Sequence, residues 1–254
     1  MYETFAILIF VLGLVLGSFL NVLILRIDNL GSVALDRSHC PNCQHVLSWR
    51  DLVPVLSFVL LRGRCRYCQK SISWQYPLVE MGTALMLTLF FLIYGFSAGF
   101  VFYSVILLLL IVVFVSDIKT LTVPEEFVWA ALVVAVLGSW YFGGFGLSRM
   151  LLGGLVGGGL LALLVVVSRE QWMGSGDVKI GLILGVALGY PLAVIGIFLS
   201  FLIGSVVGLT FISLQTKTMK DALPFAPFLI IGLYVTLLFG QSILLWYQRL
   251  YLPF

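Results

Sequence analysis

The sequence is poor in charge: only 10% of its 254 residues are Asp, Glu, Lys or Arg, whereas soluble domains carry about a quarter. This scarcity excludes a cytosolic globular protein. The glycine run GGLVGGG (153–159) lacks the Lys-Ser/Thr pair of a phosphate-binding loop, and no GxGxxG motif occurs, which excludes nucleotide binding. The first apolar run has no small-residue cleavage site and continues into Arg26, so we expect a retained helix rather than a removed signal peptide.

Long apolar runs recur along the whole chain, and each is long enough to cross or nearly cross a hydrocarbon core of about 30 Å. We therefore predict an all-α, polytopic membrane protein with about eight transmembrane helices. The division of 178–213 into two helices depends only on the GYP sequence at 189–191. The predicted spans are 2–25, 78–95, 98–116, 127–142, 147–167, 178–190, 192–213 and 225–247.

Basic residues are concentrated in the segments that alternate with these spans. The segments 26–77, 117–126, 168–179 and 214–224 hold 12 of the 14 basic residues, and only Arg149 and Arg249 fall on the other side. The positive-inside rule places these four segments in the cytoplasm and both termini outside it. Because topology already explains the basic residues, we expect no nucleic acid partner. The twelve are Arg26, Arg37, Arg50, Arg62, Arg64, Arg66, Lys70, Lys119, Arg169, Lys179, Lys217 and Lys220.

All four cysteines lie in the one long hydrophilic segment, 26–77, as the pairs CPNC (40–43) and CRYC (65–68). Two CxxC knuckles deliver four thiolates to one tetrahedral ion, so we predict zinc at Cys40, Cys43, Cys65 and Cys68. Two disulfides or an iron centre are the alternatives, and a reducing cytoplasm disfavours disulfides. His39 and His45 flank the first knuckle and are interpreted as surface residues rather than ligands.

The stretch WRDLVPVLSFVLLRG (49–63) separates the knuckles and is apolar, but Pro54 and its charges make it too short to span. We expect it to lie against the membrane surface or the helix bundle. Two interpretations of the metal loop stay open. Either zinc only holds a connecting loop together, or the loop forms a binding surface for a substrate or cofactor.

Asp117 and Asp177 are each followed two positions later by a lysine at a predicted cytoplasmic helix end. Two carboxylates brought together do not both ionise easily, so one holds a proton while the other takes a proton from water. This is the division of labour in aspartic proteases. Gly174 and Gly176 suit substrate binding, because residues without a Cβ let a peptide backbone approach closely.

A simpler interpretation is that these acids are solvated helix ends beside snorkelling lysines. Lys119 and Lys179 are candidate substrate-binding residues, although the charge rule alone accounts for them. Glu80, Glu125, Glu126 and Asp221 compete for the catalytic role. The glycine pairs spaced by four residues between 153 and 208 favour close helix packing, and Asn21 favours a hydrogen bond between helices.

Taken together, the motifs closely resemble those of the bacterial type IV prepilin peptidases, which are GxGD-type membrane aspartic proteases. The resemblance covers nearly the whole chain. It is carried by GSFLNVLILR (17–26), SHCPNC and GRCRYC, YPLVE (76–80), Asp117 followed by VPEE, GSGDVK (174–179) and PFAPFL (224–229).

The resemblance implies an enzyme of the bacterial inner membrane that cuts the leader from type IV prepilins, pseudopilins or competence-pilus prepilins on the cytoplasmic side. It implies Asp117 and Asp177 as the catalytic acids and the four cysteines as zinc ligands. It also associates their loop with N-methylation from S-adenosylmethionine, so a bifunctional enzyme is expected. We divide the chain into a first helix (1–25), a zinc domain (26–77) and a peptidase domain (78–254).

Two positions depart from the family pattern. Gln75 stands where an Arg is common before Tyr-Pro, and Ala226 where Gly is common in PFGP. The first lies near the loop and bears on methylation more than on cleavage. Alternatives are a peptidase without methyltransferase activity, a zinc-stapled proton-coupled transporter, and a presenilin-type protease that shares GxGD.

Overall fold

The structure is a computed structural model that describes residues 2–27, 30–31, 33, 37–142, 144, 146–216, 218 and 223–251. Lys217, Lys220 and Asp221, which entered the sequence analysis, lie outside these residues. The chain forms two compact units that divide between Val112 and Val113. The three domains expected from the sequence stay a prediction.

Helices dominate both units, and the described residues contain no β-strand, only two isolated β-bridges. The all-α prediction is confirmed. The helices are α1 (Tyr2–Leu25), α2 (Leu56–Leu60), α3 (Gln75–Tyr94), α4 (Ala98–Thr120), α5 (Glu125–Phe142), α6 (Gly146–Ser168), α7 (Ser175–Leu188), α8 (Leu192–Ser213) and α9 (Ala226–Tyr251).

Seven helices within the described ranges are long and apolar enough to cross a membrane: α1, α3, α4, α5, α6, α8 and α9. Helix α7 corresponds to the remaining predicted span. It has 14 residues and is followed by Gly189 with a φ of +65°, so the predicted break at GYP is confirmed. At 1.5 Å per residue α7 is about 21 Å long, which is shorter than a hydrocarbon core of about 30 Å.

In the first unit, α1 packs closely against α3. The backbones approach where Gly13 meets Ala84 and Gly17 meets Glu80, because a Cβ on either glycine would overlap the partner helix. The buried amide of Asn21 donates to the carbonyl of Tyr76 at 3.2 Å. The predicted interhelical role of Asn21 is therefore confirmed.

In the second unit, α7 is the central element and packs against α5, α6, α8 and α9. Gly153 and Gly157 on α6 face the backbones of Gly185 and Gly181 on α7, so a side chain at any of these positions would meet backbone atoms. Within α6, residues Leu155–Gly159 form a π-helical turn. The glycine spacing predicted close packing, which is confirmed, but it gave no signal for the π turn.

Candidate active site and metal cluster

Asp117 lies on the last turns of α4 and is only 5% exposed. One of its carboxylate oxygens, Oδ2, has no hydrogen-bond partner among the described residues. The backbone N–H of Ala226, the first residue of α9, lies near enough to interact with the carboxylate of Asp117. The start of α9 is therefore close to this acid.

Asp177 lies in the first turn of α7 and is 8% exposed. The backbone N–H of Gly174, the residue that caps α7, lies near enough to interact with the carboxylate of Asp177. The carboxylate is close enough to Asp117 for the two groups to interact electrostatically. The second unit thus brings together the two acids that were predicted to be catalytic, although 60 positions separate them in the sequence.

A contact between Gly176 and Val123 helps to bring the two acids together. Val123 belongs to the short connection between α4 and α5, and its Cγ2 atom lies 3.0 Å from where a Cβ on Gly176 would be. The start of α7 therefore packs directly on the segment that follows Asp117. Gly174, by contrast, has open space around its Cα. Of the two glycines, Gly174 leaves the more room for a substrate backbone.

The competing acids of the second unit are placed differently. Glu125 is exposed and forms an ion pair with Lys179, and its other oxygen accepts a hydrogen bond from the Trp129 indole at 3.2 Å. Lys179 also lies 5.4 Å from the centre of the Trp129 ring. Glu126 is exposed as well. These acids lack the burial that distinguishes the Asp pair.

Lys179 is held by Glu125 rather than by Asp177. Lys119 is exposed and makes no ion pair among the described residues. Their predicted contribution to substrate binding stays a prediction. The position of the Ala226 backbone near Asp117 was not predicted from the sequence. The available signal was the proline-containing PFAPFL stretch, because proline is typical of a helix start and a helix start is where free N–H groups are found.

In the first unit, Cys40, Cys43, Cys65 and Cys68 form one cluster in which all sulfur atoms lie within 4.8 Å of one another. All four cysteines are free thiols. The Sγ atoms of Cys40 and Cys68 are 3.9 Å apart. Four ligands at about 2.3 Å from a tetrahedral zinc ion are about 3.8 Å apart, so the cluster fits such an ion. His45 instead packs its ring on Tyr67.

The two knuckles share one backbone pattern. In the first, the N–H of Cys40 donates to the carbonyl of His45 at 3.0 Å. In the second, the N–H of Cys65 donates to the carbonyl of Lys70 at 2.8 Å. Gln44 and Gln69 occupy equivalent positions with φ of 56° and 59°. The N–H of Cys43 lowers the pKa of the Cys40 thiol to about 7, which favours the thiolate form that binds metals.

Asp51 connects the segment after the first knuckle to the second knuckle. Its carboxylate accepts hydrogen bonds from the Ser48 hydroxyl at 2.7 Å, the Arg66 Nε at 2.7 Å and the Tyr67 hydroxyl at 3.2 Å. Burial raises the pKa of Asp51, but the hydrogen bonds from Ser48 and Arg66 outweigh it and lower the pKa to about 2. The carboxylate is therefore ionised throughout the neutral range.

Glu80 attaches this segment to α3, and Gln75 joins α3 to α1. The buried Glu80 accepts a hydrogen bond from the N–H of Val55 at 2.7 Å, and Val55 has a φ of 58°, a conformation that β-branched residues rarely adopt. Gln75 donates to the Oδ1 atom of Asn21 at 3.2 Å. Gln75, which departs from the family pattern, thus has a defined hydrogen-bond partner, and the carboxylate of Glu80 binds the backbone of Val55.

A multi-helix membrane protein with a buried pair of aspartates and a four-cysteine cluster is the class that this geometry defines. Residues 11–94 match the model of the bacterial peptidase A24 N-terminal domain, and residues 104–209 match that of the type IV leader peptidase family. No solved structure gives a significant match to the chain.

Curated relatives match over most of their length. The chain is 32% identical to the prepilin leader peptidase/N-methyltransferase of Bacillus subtilis (strain 168), over 96% of this chain and 98% of the relative. It is 30% identical to the protein of the same name from Aeromonas hydrophila, over 94% and 92%. It is 34% identical to the type 4 prepilin-like proteins leader peptide-processing enzyme of Escherichia coli O78:H11 (strain H10407 / ETEC), over 87% and 88%. The chain belongs to the type IV leader peptidase family.

Proposed function

We propose that this chain is a membrane aspartic endopeptidase that removes the leader of type IV prepilins or pseudopilins and then methylates the new N-terminal residue. The observation that supports cleavage is the buried pair, Asp117 near the end of α4 and Asp177 at the start of α7. Membership of the family and the names of its relatives support both steps.

The two carboxylates divide the work of peptide hydrolysis. The ionised one removes a proton from a water molecule, whose oxygen attacks the carbonyl carbon of the scissile bond. The protonated one donates a hydrogen bond and then its proton to the carbonyl oxygen. The C–N bond then breaks as the leaving amine takes up the proton that the first acid had removed from the water molecule. The buried Oδ2 atom of Asp117 has no hydrogen-bond partner among the described residues, and we propose that a water molecule or the substrate is its partner during catalysis.

For the methylation step we propose S-adenosylmethionine as co-substrate, with its methyl group transferred to the freed amine. For the cluster of Cys40, Cys43, Cys65 and Cys68 we propose zinc, supported by sulfur spacing that fits a tetrahedral ion. A structural zinc ion would hold the two knuckles together, because a segment of about 50 residues has little apolar core of its own.

For orientation we propose the bacterial inner membrane, with Asp117, Asp177 and the cysteines on the cytoplasmic side and both termini outside. The support is the uneven distribution of the basic residues along the sequence. Reporter fusions test this proposal: a fusion after His45 is expected to report a cytoplasmic location and one at the C-terminus an extracytoplasmic location. A cytoplasmic C-terminus contradicts it and makes the short helix α7 the first element to re-examine.

Incubation of the purified full chain with purified prepilins, pseudopilins and competence-pilus prepilins tests the function. Mass spectrometry is expected to show loss of the leader and, with S-adenosylmethionine present, a gain of one methyl group. Leader loss without methyl gain indicates a peptidase only. An absence of cleavage for every substrate class, with the chain folded in lipid, contradicts the proposal and favours the transporter alternative.

A further inference from the structure

Five large apolar side chains are exposed between the two cysteine knuckles: Trp49, Leu52, Leu56, Val59 and Leu60. Trp49 is 73% and Leu60 is 72% exposed. We call these five residues the inter-knuckle patch. They lie outside the seven helices that are long enough to cross the membrane, where a surrounding bilayer already explains apolar exposure. A contiguous apolar surface of this kind marks a contact with a partner or a membrane.

The inter-knuckle patch continues onto a spanning helix. A cleft of about 950 Å³ separates α2 from the start of α3. Phe58 and Val59 line one side of the cleft, and Trp74, Pro77 and Leu78 line the other. Trp74 and Leu78 are themselves exposed. Since α3 is a candidate membrane span, lipid that surrounds its first turns lies next to the cleft and the patch.

The charge around the inter-knuckle patch has one sign. Arg50, Arg62 and Arg64 are exposed and form no ion pair among the described residues. Asp51 is the only acid between residues 49 and 64, and it is turned inward, with 3% of its side chain exposed and Arg66 as its partner. An apolar face with a basic rim is the pattern of segments that lie in the interface of a membrane with anionic lipids.

We propose that the inter-knuckle patch inserts into the bilayer surface beside the start of α3, and that Arg50, Arg62 and Arg64 contact anionic lipid headgroups. Membrane insertion covers the apolar side chains that the described protein leaves exposed. It also fixes the height of the cysteine cluster relative to the membrane, because the patch and the cluster belong to one continuous segment.

Photocrosslinking in the full chain tests the insertion. A benzophenone amino acid replaces Leu60 or Val59 in protein reconstituted in nanodiscs, and mass spectrometry identifies the adducts after illumination. We expect phospholipid adducts at both positions. Val46 is the matched control, since it is exposed in the same segment but lies outside the inter-knuckle patch. Adducts with another part of this chain or with added prepilin, or equal lipid labelling at Val46, overturn the proposal.

A second arm tests the headgroup contact. Labelling at position 60 is compared in nanodiscs of phosphatidylcholine alone and in nanodiscs that contain a third phosphatidylglycerol. Anionic lipid is expected to raise the yield of lipid adducts several-fold. The double variant Arg62→Gln/Arg64→Gln is expected to lose this increase while keeping the yield measured in neutral discs. Equal yields in both discs for the unsubstituted arginines contradict a role for anionic headgroups.

Discussion

The cysteine segment and helix α7 position their functional groups in different ways. Around the cysteines, polar contacts fix the backbone: two knuckles with the same hydrogen bonds, Asp51 with three donors, and Glu80 on the N–H of Val55. The backbone of α7 is fixed instead by contacts between its glycines and the backbone of α6, and by the burial of nearly all its apolar side chains. The first arrangement tolerates a change of one contact because several others remain. The second does not, because tightly packed helices have no space into which a new atom can move.

The largest effect is expected from the acids themselves. Asp117→Asn and Asp177→Asn each keep the size of the side chain but remove proton transfer, so leader removal should fall by about 10³-fold or more. A time course of cleavage by protein in lipid measures it. Glu125→Gln is the matched control, because Glu125 is exposed and paired with Lys179, and it should keep substantial activity. If Glu125→Gln is inactive while Asp117→Asn still cleaves, the catalytic partner of Asp177 is not Asp117.

The next effect concerns the metal. The double variant Cys40→Ser/Cys43→Ser leaves two thiolates, which do not close a tetrahedral site, so the bound metal should drop from about one ion per chain to none. Elemental analysis of the purified protein measures it. Methylation should decline more than cleavage, because the acids lie in the other unit. Native protein that carries no metal after gentle purification contradicts the zinc proposal.

Helix packing gives the third prediction. A methyl group in Gly157→Ala would meet the backbone of Gly181, so we expect α7 to shift and the free energy of unfolding to fall by about 3 kcal/mol. Thermal unfolding in detergent measures the change, and cleavage should fall with it because α7 carries Asp177. Gly82→Ala on α3 is the control, since nothing lies within 4 Å of its added methyl. Equal stability of the two variants contradicts the packing argument.

The smallest effect is expected at Asp51. Asp51→Asn keeps the shape of the side chain but weakens the hydrogen bonds from Ser48 and Arg66. We expect the free energy of local unfolding to fall by about 1–3 kcal/mol. Because the pKa of Asp51 is lowered to about 2, its contribution is complete above its ordinary pKa near 3.8 and is lost as the pH falls towards 2. Hydrogen exchange of residues 48–52 measures it. Exchange that is unchanged in the variant at neutral pH argues against this role.

Much of this fold could be predicted from the sequence, because the length of an apolar run and the spacing of its small residues indicate membrane helices directly. The break at GYP, close packing at the glycine pairs and an interhelical hydrogen bond from Asn21 were predicted in this way, whereas the partner helices were not. The proximity of Asp117 and Asp177 was inferred from a repeated local pattern and from the family resemblance.

Contacts between distant backbone groups were not predictable. The N–H of Val55 that donates to Glu80 and the N–H of Ala226 near Asp117 are groups that every residue except proline possesses, so no side-chain pattern marks them. The role of Gly176 also differs from the one predicted. The sequence favoured space for a substrate at Gly176, whereas in the structure Gly176 contacts Val123. This contact depends on how the chain turns after α4.

The short length of α7 has a consequence for water. At about 21 Å, α7 is mismatched to a bilayer core of about 30 Å, so its first turn, if its other end reaches the far surface, lies several ångströms below the headgroups. Asp117 is likewise one turn short of the end of α4. Hydrolysis consumes one water molecule per leader removed, and that molecule must travel down to the acids. Turnover therefore requires a path for water to this end of α7.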